Sequence, residues 1–333
     1  MALSIGRGRL QELLDSARKT RVVAIGDAML DEYLVGDVDR ISPEAPVPVV
    51  RIRERRYALG GVANVAQNVA AAGAECRLIC AVGRDAAGEQ LGGMFERAGL
   101  TRSGIVTVQR PTTRKSRVVA RSQQLVRIDD EDDSDLTEGD AKRILAAAEA
   151  AIADADALIF EDYNKGVLIP AVIAGAIGLA RARGIPVIVD PKYRHFFAYR
   201  GATVFKPNRR ELEAALGAAV DMEHPEAIPS ALDRLGVEHL LLTLGERGMV
   251  LASRDGSIGS VPTVAREVYD VVGAGDTVTA YLATVMGAGG TAAEAAVIAN
   301  YAAGVEVGKL GAATVSPEEI LDAFDHFATH PAS

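Results

Sequence analysis

Gly273-Ala274-Gly275-Asp276 stands where a loop beginning at Glu267 gives way to an apolar helical pattern. Gly273, Ala274 and Gly275 carry little or no side chain, so their amides can close around phosphate oxygens at a helix N-terminus. Unpaired N–H groups and the helix dipole favour negative charge there. Asp276 then sits beside whatever those amides hold. A carboxylate in that place can take the proton of an attacking hydroxyl while the amides stabilise charge on the transferred group. The chemistry this suggests is phosphoryl transfer. A plainer reading of the same residues is a glycine-rich helix start with a first-turn Asp complementing the dipole.

The elements that must position this turn follow from hydrophobic patterning. Apolar β-rich runs at Val22–Gly26, Leu78–Val82, Ala157–Phe160, Val187–Val189, Thr203–Phe205 and Leu240–Thr243 alternate with helical patterns at Ala63–Ala72, Ala86–Gly99, Ala141–Ala151, Pro170–Arg183 and Arg209–Leu216. Such alternation calls for a parallel sheet covered on both faces. Helices from Ala274 to about Met286, from Ala292 to Val307 and from Pro317 to Phe327 close the chain, the last with Ser316 as N-cap and Pro317 in its first turn. Residues 33–56 and 104–128 break the rhythm and read as short alternating strands rich in Val, Arg and Thr. The acidic run from Asp129 to Asp140 reads as a solvated linker to a helix capped near Thr137.

A chain of 333 residues with 49% hydrophobic content can bury a sizeable core. Its net charge of −9 argues against a nucleic-acid or membrane-surface binder. Arginines at 40, 51, 53, 55 and 56, and basic residues at 110, 114, 115, 117, 121 and 127, nevertheless cluster in two stretches. They could surround an anionic substrate, although alternation should turn more than half of them to the wet face of strands. Cys76 and Cys80 have no histidine or further cysteine to complete a metal site, so buried free thiols are expected. No signal-peptide core or membrane-length apolar stretch is present, and a cytoplasmic protein is expected. Gly304-Val-Glu-Val-Gly-Lys309-Leu310 is one residue short of a P-loop and ends in Leu where Mg²⁺ would need a hydroxyl. Val22–Gly26 is not followed by G-x-G-x-x-G.

The turn at 273–276 resembles the C-terminal signature of the PfkB/ribokinase family of sugar kinases. Further matches are Gly26-Asp-Ala-Met-Leu-Asp31-Glu-Tyr33, Arg40-Ile-Ser-Pro-Glu-Ala-Pro-Val-Pro-Val-Val50, Gly60-Gly61-Val-Ala-Asn64, Thr112-Thr-Arg-Lys-Ser-Arg117, Gln123-Gln-Leu-Val-Arg-Ile-Asp129, Asp162-Tyr-Asn-Lys-Gly166, Asp190-Pro-Lys192 and Lys309-Leu-Gly-Ala-Ala-Thr-Val-Ser-Pro317. The resemblance covers about residues 10–327. Within the family it is strongest to kinases acting on D-glycero-D-manno-heptose 7-phosphate at the anomeric carbon. It implies a ribokinase-like three-layer α/β/α fold with a mostly parallel central sheet, and one kinase domain over 1–333 whose segments 33–56 and 104–128 form a small β-lid over the sugar site.

The resemblance also implies roles. Asn208-Arg209-Arg210-Glu211 matches the family's Asn-x-x-Glu motif on the nucleotide side, where an amide and a carboxylate three apart at a helix start could hold the water shell of Mg²⁺. A capping box fits the same residues equally well. Thr243, Gly245 and Gly248 would meet nucleotide phosphates, though their sequence reads equally as a tight turn. Asn300 would line the adenine pocket or be a buried helix amide. Asp270 matches a monovalent-cation ligand, with Val271 and Val272 where the family often has threonines, so a K⁺ site would lean on backbone carbonyls.

On the sugar side, Asp31, Gly60, Gly61 and Asn64 match positions that hydrogen-bond sugar hydroxyls; a strand-end turn residue and an N-cap are the bland alternatives for Asp31 and Asn64. Lys115, Arg117 and Arg127 are candidates for a distal phosphate, with Lys165 and Lys192 nearer the reacting centre. The implied reaction uses ATP and Mg²⁺ to make a heptose 1,7-bisphosphate for the ADP-heptose branch of lipopolysaccharide core synthesis. No H-x-G-H motif is present, so the nucleotidyltransferase often fused to such kinases is expected on another polypeptide. A homodimer through exposed lid strands is also implied. The rivals are a kinase of the same fold for fructose, ribose or fructose 6-phosphate, and a catalytically silent sensor.

Overall fold

The computed structural model describes residues 2–121, 123–220, 228–265 and 268–329. The strands β1 (Arg21–Gly26), β4 (Glu75–Gly83), β5 (Ile105–Val108), β8 (Ala157–Glu161), β9 (Val187–Asp190), β10 (Val204–Phe205), β11 (His239–Thr243), β12 (Met249–Ser253) and β13 (Ile258–Val261) form one sheet, ordered β13-β12-β11-β10-β9-β8-β1-β4-β5. Pairing is parallel from β5 through β11 and antiparallel for β12 and β13. Its central strands are apolar throughout because both faces are covered, and β8 and β9 are buried at every residue.

Period-two alternation assigns each strand residue to a layer. Val22 and Ala24 pack with α1 (Arg7–Ala17), α2 (Val62–Ala71), α3 (Ala86–Arg97), α8 (Ala274–Gly287), α9 (Ala292–Glu306) and α10 (Pro317–Thr329). Val23 and Ile25 face α4 (Glu138–Ile152), α5 (Pro170–Arg183), α6 (Arg209–Leu216) and α7 (Ile228–Leu235). The result is the expected three-layer arrangement. Both α8 and α9 are buried around most of their circumference, which explains their nearly continuous apolar sequence. Buried threonines in α8 satisfy their hydroxyls on the preceding turn, Thr279 on Gly275 O and Thr284 on Ala280 O. Sequence patterning did not anticipate α1, α7 or the antiparallel β12–β13 extension.

A second sheet of four strands has the order β3-β2-β6-β7, built from β2 (Ala28–Ile41), β3 (Pro48–Gly61), β6 (Arg114–Ala120) and β7 (Gln123–Asp130). It is rooted deeper than residue 33, since β2 leaves the main sheet one residue after β1 ends. Of the stretch 104–128, Ile105–Val108 pairs with β4 in the large sheet, and only the later part joins the small one. All five arginines of the first basic stretch are exposed; Arg55 and Arg56 are adjacent in β3 and lie on opposite faces, so both faces are wet there. Cys76 and Cys80 are buried and free, and burial pushes both thiols up to about 12. No helix among the described residues is long and apolar enough to cross a membrane.

Candidate active site

The main sheet reverses its winding at β1, with β4 on one side and β8 on the other. In an open α/β sheet the crevice at the carboxyl ends of the strands beside such a switch is where ligands bind. Here those ends carry Asp27 after β1, Glu161, Asp162 and Tyr163 at β8, Asp190 at β9 and Lys206 after β10. Apolar strand residues give way to polar ones at the point where the backbone leaves the packed layers.

The N-terminus of α8 is driven into this crevice. Gly273, its N-cap, has φ +99°, and a Cβ there would meet Glu306 Oε1 at 3.1 Å, Asn64 Nδ2 at 3.2 Å and Ala312 Cβ at 3.3 Å. The conformation therefore favours glycine, and a Cβ would crowd its neighbours. Ala274 and Gly275 present the first helical amides, and Asp276 follows, only 6% exposed. Its Oδ2 accepts from Asn64 Nδ2 at 2.7 Å and its Oδ1 from the Tyr163 hydroxyl at 3.0 Å. Asn64 is held in turn by α2: Asn68 Nδ2 donates to Asn64 O, and Thr277 Oγ1 donates to Asn68 Oδ1. Burial raises the Asp276 carboxyl to about 6, with Asn64 opposing the rise, Asp190 adding to it, and Tyr163 and Lys206 opposing it. A carboxylate with that value is ionised at neutral pH yet basic enough to accept a proton. Glu267, where the run begins, lies outside the described residues.

Beneath Asp276 is a buried charge cluster. Lys206 Nζ donates to Asp190 Oδ2 at 2.7 Å. Burial pulls the lysine down, but Asp190 and Glu161 more than restore it and hold it above its ordinary value. Glu161 is fully buried and has neither carboxyl oxygen hydrogen-bonded; burial, then Asp190 and Asp276, push its carboxyl well up. Oxygens of Glu161, Asp190 and Asp276 lie within 4.8 Å of one another, a spacing that could suit a metal ion. Lys206 Nζ, bound to Asp190, already supplies a positive charge at this trio.

The other motifs line up along one cleft of about 580 Å³ that runs from Gly275 to Asn300 and is bordered by Asn208, Thr243, Gly245 and Gly248. A backbone bridge joins Asn208 to Thr243, so two motifs distant in sequence meet. Gly245 (φ +61°) and Gly248 (φ +79°) flank a 3-10 turn, Gly245–Arg247, that closes the strand end. Asn300 donates to Pro262 O at 2.8 Å. The capping box of Asn208 and Glu211 is fully formed, and Glu211 also accepts from Lys192 Nζ at 2.5 Å. Arg209 is paired with Glu213 along its own helix, and Arg210 is exposed; neither lines the cleft. Asp270 accepts from Val272 N and Gly311 N, tying the loop before α8 to the turn after α9.

On the other side of Asp276, Asp31 lies against the glycine pair. A Cβ on Gly60 would sit 2.6 Å from Asp31 Oδ2, and Gly61 (φ +60°) leads straight into α2 and Asn64. The candidate cations are all paired. Arg117 donates to Asp31 and lies 5.3 Å from the Tyr33 ring. Lys115 Nζ meets Asp129 at 3.2 Å and Glu131 at 3.3 Å, Lys165 Nζ meets Glu131 at 2.6 Å, and Arg127 chelates Asp129 on the outer strand.

These pairs correct the start of the stretch Asp129–Asp140 expected as a solvated linker. Asp129 and Asp130 belong to β7, Glu131 is clamped between two lysines, and Asp133 and Asp135 pair with Arg194. The remainder behaves as expected: 131–137 is irregular, Asp133 to Asp135 are exposed, and Thr137 caps α4. The cations come from strands and loops remote in sequence, which a local reading of charge cannot see.

Sequence reasoning gave no role to Tyr163, Glu161, Asp190, Lys206 or Asp27. Asp27 is buried and accepts from the backbone N–H groups of Tyr163, Lys165 and Val167, fixing that loop to the root of β2. The available signal was that each is a polar residue at or just beyond the end of an apolar strand run.

Comparison with known proteins gives the family and the fold. The family profile described as pfkB family carbohydrate kinase matches residues 19–319. The chain is 44% identical over 317 residues to the "Bifunctional protein HldE" of Rhodospirillum rubrum, covering 94% of this chain and 64% of that protein, so it spans less than two thirds of that relative's length. Phosphofructokinase-2 from Escherichia coli, solved in complex with potassium, superposes with a TM-score of 0.78 at 18% identity, over 93% of this chain and 99% of the other. Arabidopsis thaliana ribokinase, complexed with ribose and ATP, gives a TM-score of 0.73 at 19% identity, over 92% and 98%. The fold is ribokinase-like.

Proposed function

We propose, from the premise that this chain belongs to the pfkB family of carbohydrate kinases and is an ATP-dependent sugar kinase, that it phosphorylates the anomeric hydroxyl of D-glycero-β-D-manno-heptose 7-phosphate. The observation that carries the kinase chemistry is the placement of Asp276. It lies at the buried start of α8, between the cleft that ends at Gly275 and the side formed by Asp31, Gly60, Gly61 and Asn64. In this reading the C1 hydroxyl gives its proton to Asp276 as its oxygen attacks the γ-phosphorus. The bond from the γ-phosphorus to the β–γ bridging oxygen breaks, ADP leaves, and the amides at 273–276 hold the charge on the transferred group.

Asn208 lines the cleft and Glu211 is tied to it through the capping box, an amide and a carboxylate suited to hydrogen-bonding the water shell of a hard cation. Bound Mg²⁺ would neutralise charge on the nucleotide phosphates. The carbonyls and carboxylate of the Asp270 loop are the candidate monovalent-cation ligands, K⁺ among them. The phosphorylated acceptor is supported by Lys115 and Lys165, which converge on one carboxylate, Glu131, and by the resemblance to heptose 7-phosphate kinases. The four-stranded sheet is read as the lid. Its edge strand β7, exposed along its length with Val126 and Ile128 about half exposed, supports a homodimer through the lids.

The test is kcat/KM, by coupled ADP release, for heptose 7-phosphate against fructose 6-phosphate, fructose and ribose. Heptose 7-phosphate is expected to lead. A preference for any competitor removes the heptose reading and leaves the kinase in place; no turnover with any sugar would favour a silent sensor.

A further inference from the structure

We propose that Tyr163 is the positioning residue of the base: its phenol fixes the Asp276 carboxylate for the acceptor hydroxyl and links it, through Lys192, to Glu211 on the nucleotide side. The inference rests on the reading of Asp276 as the base.

Two donors grip Asp276 at opposite oxygens, Tyr163 on Oδ1 and Asn64 on Oδ2. Together they set the plane of the carboxylate, and each oxygen keeps a further lone pair for a substrate hydroxyl. The tyrosine can act only as a donor here. Burial first, then Asp276 and Glu161, raise its phenol well above the ordinary value, so the proton stays on Tyr163. Its backbone is equally fixed, since Asp27 Oδ2 accepts from Tyr163 N at 2.9 Å and Asn164 turns the chain at φ +55°. The ring lies 5.3 Å from Lys192 Nζ, and that ammonium is bound to Glu211 Oε1. One side chain thus touches the base and a cation bonded to the nucleotide-side carboxylate. The remaining groups facing Asp276 are Glu161 from β8, Asp190 from β9, Lys206 after β10 and Glu306 from α9.

The experiment is the pH profile of kcat/KM with MgATP and heptose 7-phosphate for wild type, Tyr163→Phe and Asp276→Asn. The phenylalanine keeps the ring beside Lys192 and removes only the donor. A hydrogen bond to an ionised carboxylate lowers its pKa, so losing it moves the acid limb upward, by about one pH unit. The rate loss is then larger at pH 6 than at pH 8. Replacing Tyr163 with 3-fluorotyrosine, a stronger donor of the same shape, moves the limb downward and serves equally if the phenylalanine variant folds poorly. Acid limbs that coincide with wild type in both variants, with Asp276→Asn inactive, overturn the role of Tyr163 alone. Near-normal turnover in Asp276→Asn removes the base itself, and this inference with it.

Discussion

The pocket under α8 and the ion pairs of the lid are both built from opposite charges, yet they are different kinds of structure. Around Asp276 the charges are buried, few and fixed by elements of the core: Lys206 and Asp190 are 3% and 6% exposed, and Glu161 is sealed. In the lid the pairs are partly wet, and those of the inner cations use carboxylates of one short stretch, Asp129 and Glu131. A buried pair is costly to form and far costlier to break, because a lone charge is left without water. A partly exposed pair contributes about 0–1 kcal/mol and exchanges partners easily. In the proposed reading the difference separates tasks: the α8 pocket is preorganised for proton and phosphoryl transfer, whereas Lys115 and Lys165 hold Glu131 in a way that an incoming phosphate would replace.

Substitutions on the two sides should therefore behave differently. The largest effect is expected for Asp276→Asn, which keeps the shape and removes the basic oxygen. Turnover should fall by a factor on the order of 10² to 10⁴ with ATP affinity retained by equilibrium binding. In the wild type, kcat/KM should decline as pH drops through about 6, where the carboxylate gains its proton. The same shift carries a stability signature. A carboxyl raised in the folded state favours folding at pH below its unfolded value and loses that contribution as pH rises through about 6. Asp276→Asn should thus gain thermal stability relative to wild type at pH 8, by up to about 3 kcal/mol, and little at pH 4. A variant less stable than wild type at pH 8 would show that Asn64 and Tyr163 repay the burial of the charge.

Next is Lys206→Met, which strands Asp190 beside Glu161. It should cost roughly 3–5 kcal/mol in chemical denaturation. A loss under about 1 kcal/mol, the value for a surface pair, would place this pair in the same class as the lid.

Lys115→Ala should raise KM for the phosphorylated sugar by about tenfold with kcat changed much less, since a remote phosphate contact is present in ground and transition states alike. Arg127→Ala, on the outer strand, should change KM little. Equal effects would merge the inner and outer lid cations into one site.

The smallest effect is expected for Glu211→Gln, because its capping contact to the Asn208 amide can survive through the remaining carbonyl oxygen. The Mg²⁺ concentration giving half-maximal rate should rise a few-fold, by about 1 kcal/mol of lost interaction or less. An unchanged Mg²⁺ requirement with a lowered Tm would leave Glu211 as a capping residue tied to Lys192 and nothing more.

Much of this molecule is local and was legible as such. Continuous apolar runs such as Val22–Gly26 become central strands because helices cover both faces, and a glycine followed by an apolar helix start fixes the turn at 273–276 wherever the helix docks. The Asn208–Glu211 capping box likewise forms from neighbours in sequence. The lid was seen only in part, since the pairing of Ile105–Val108 with β4 depends on which sheet edge is free.

What the sequence determined by itself, then, was the layered architecture, the glycine turn and the residue types at its mouth, all of which depend on spacings of a few residues. Tertiary structure alone decided which side chains meet. Asn64 reaches Asp276 across 212 residues and Tyr163 reaches it across 113. Glu131 was an unremarkable acid in a charged run until Lys115 and Lys165 arrived from two separate elements. The physical reason is that electrostatic partnership and desolvation depend on distance in space and on the surrounding medium, and neither is set by neighbours along the chain.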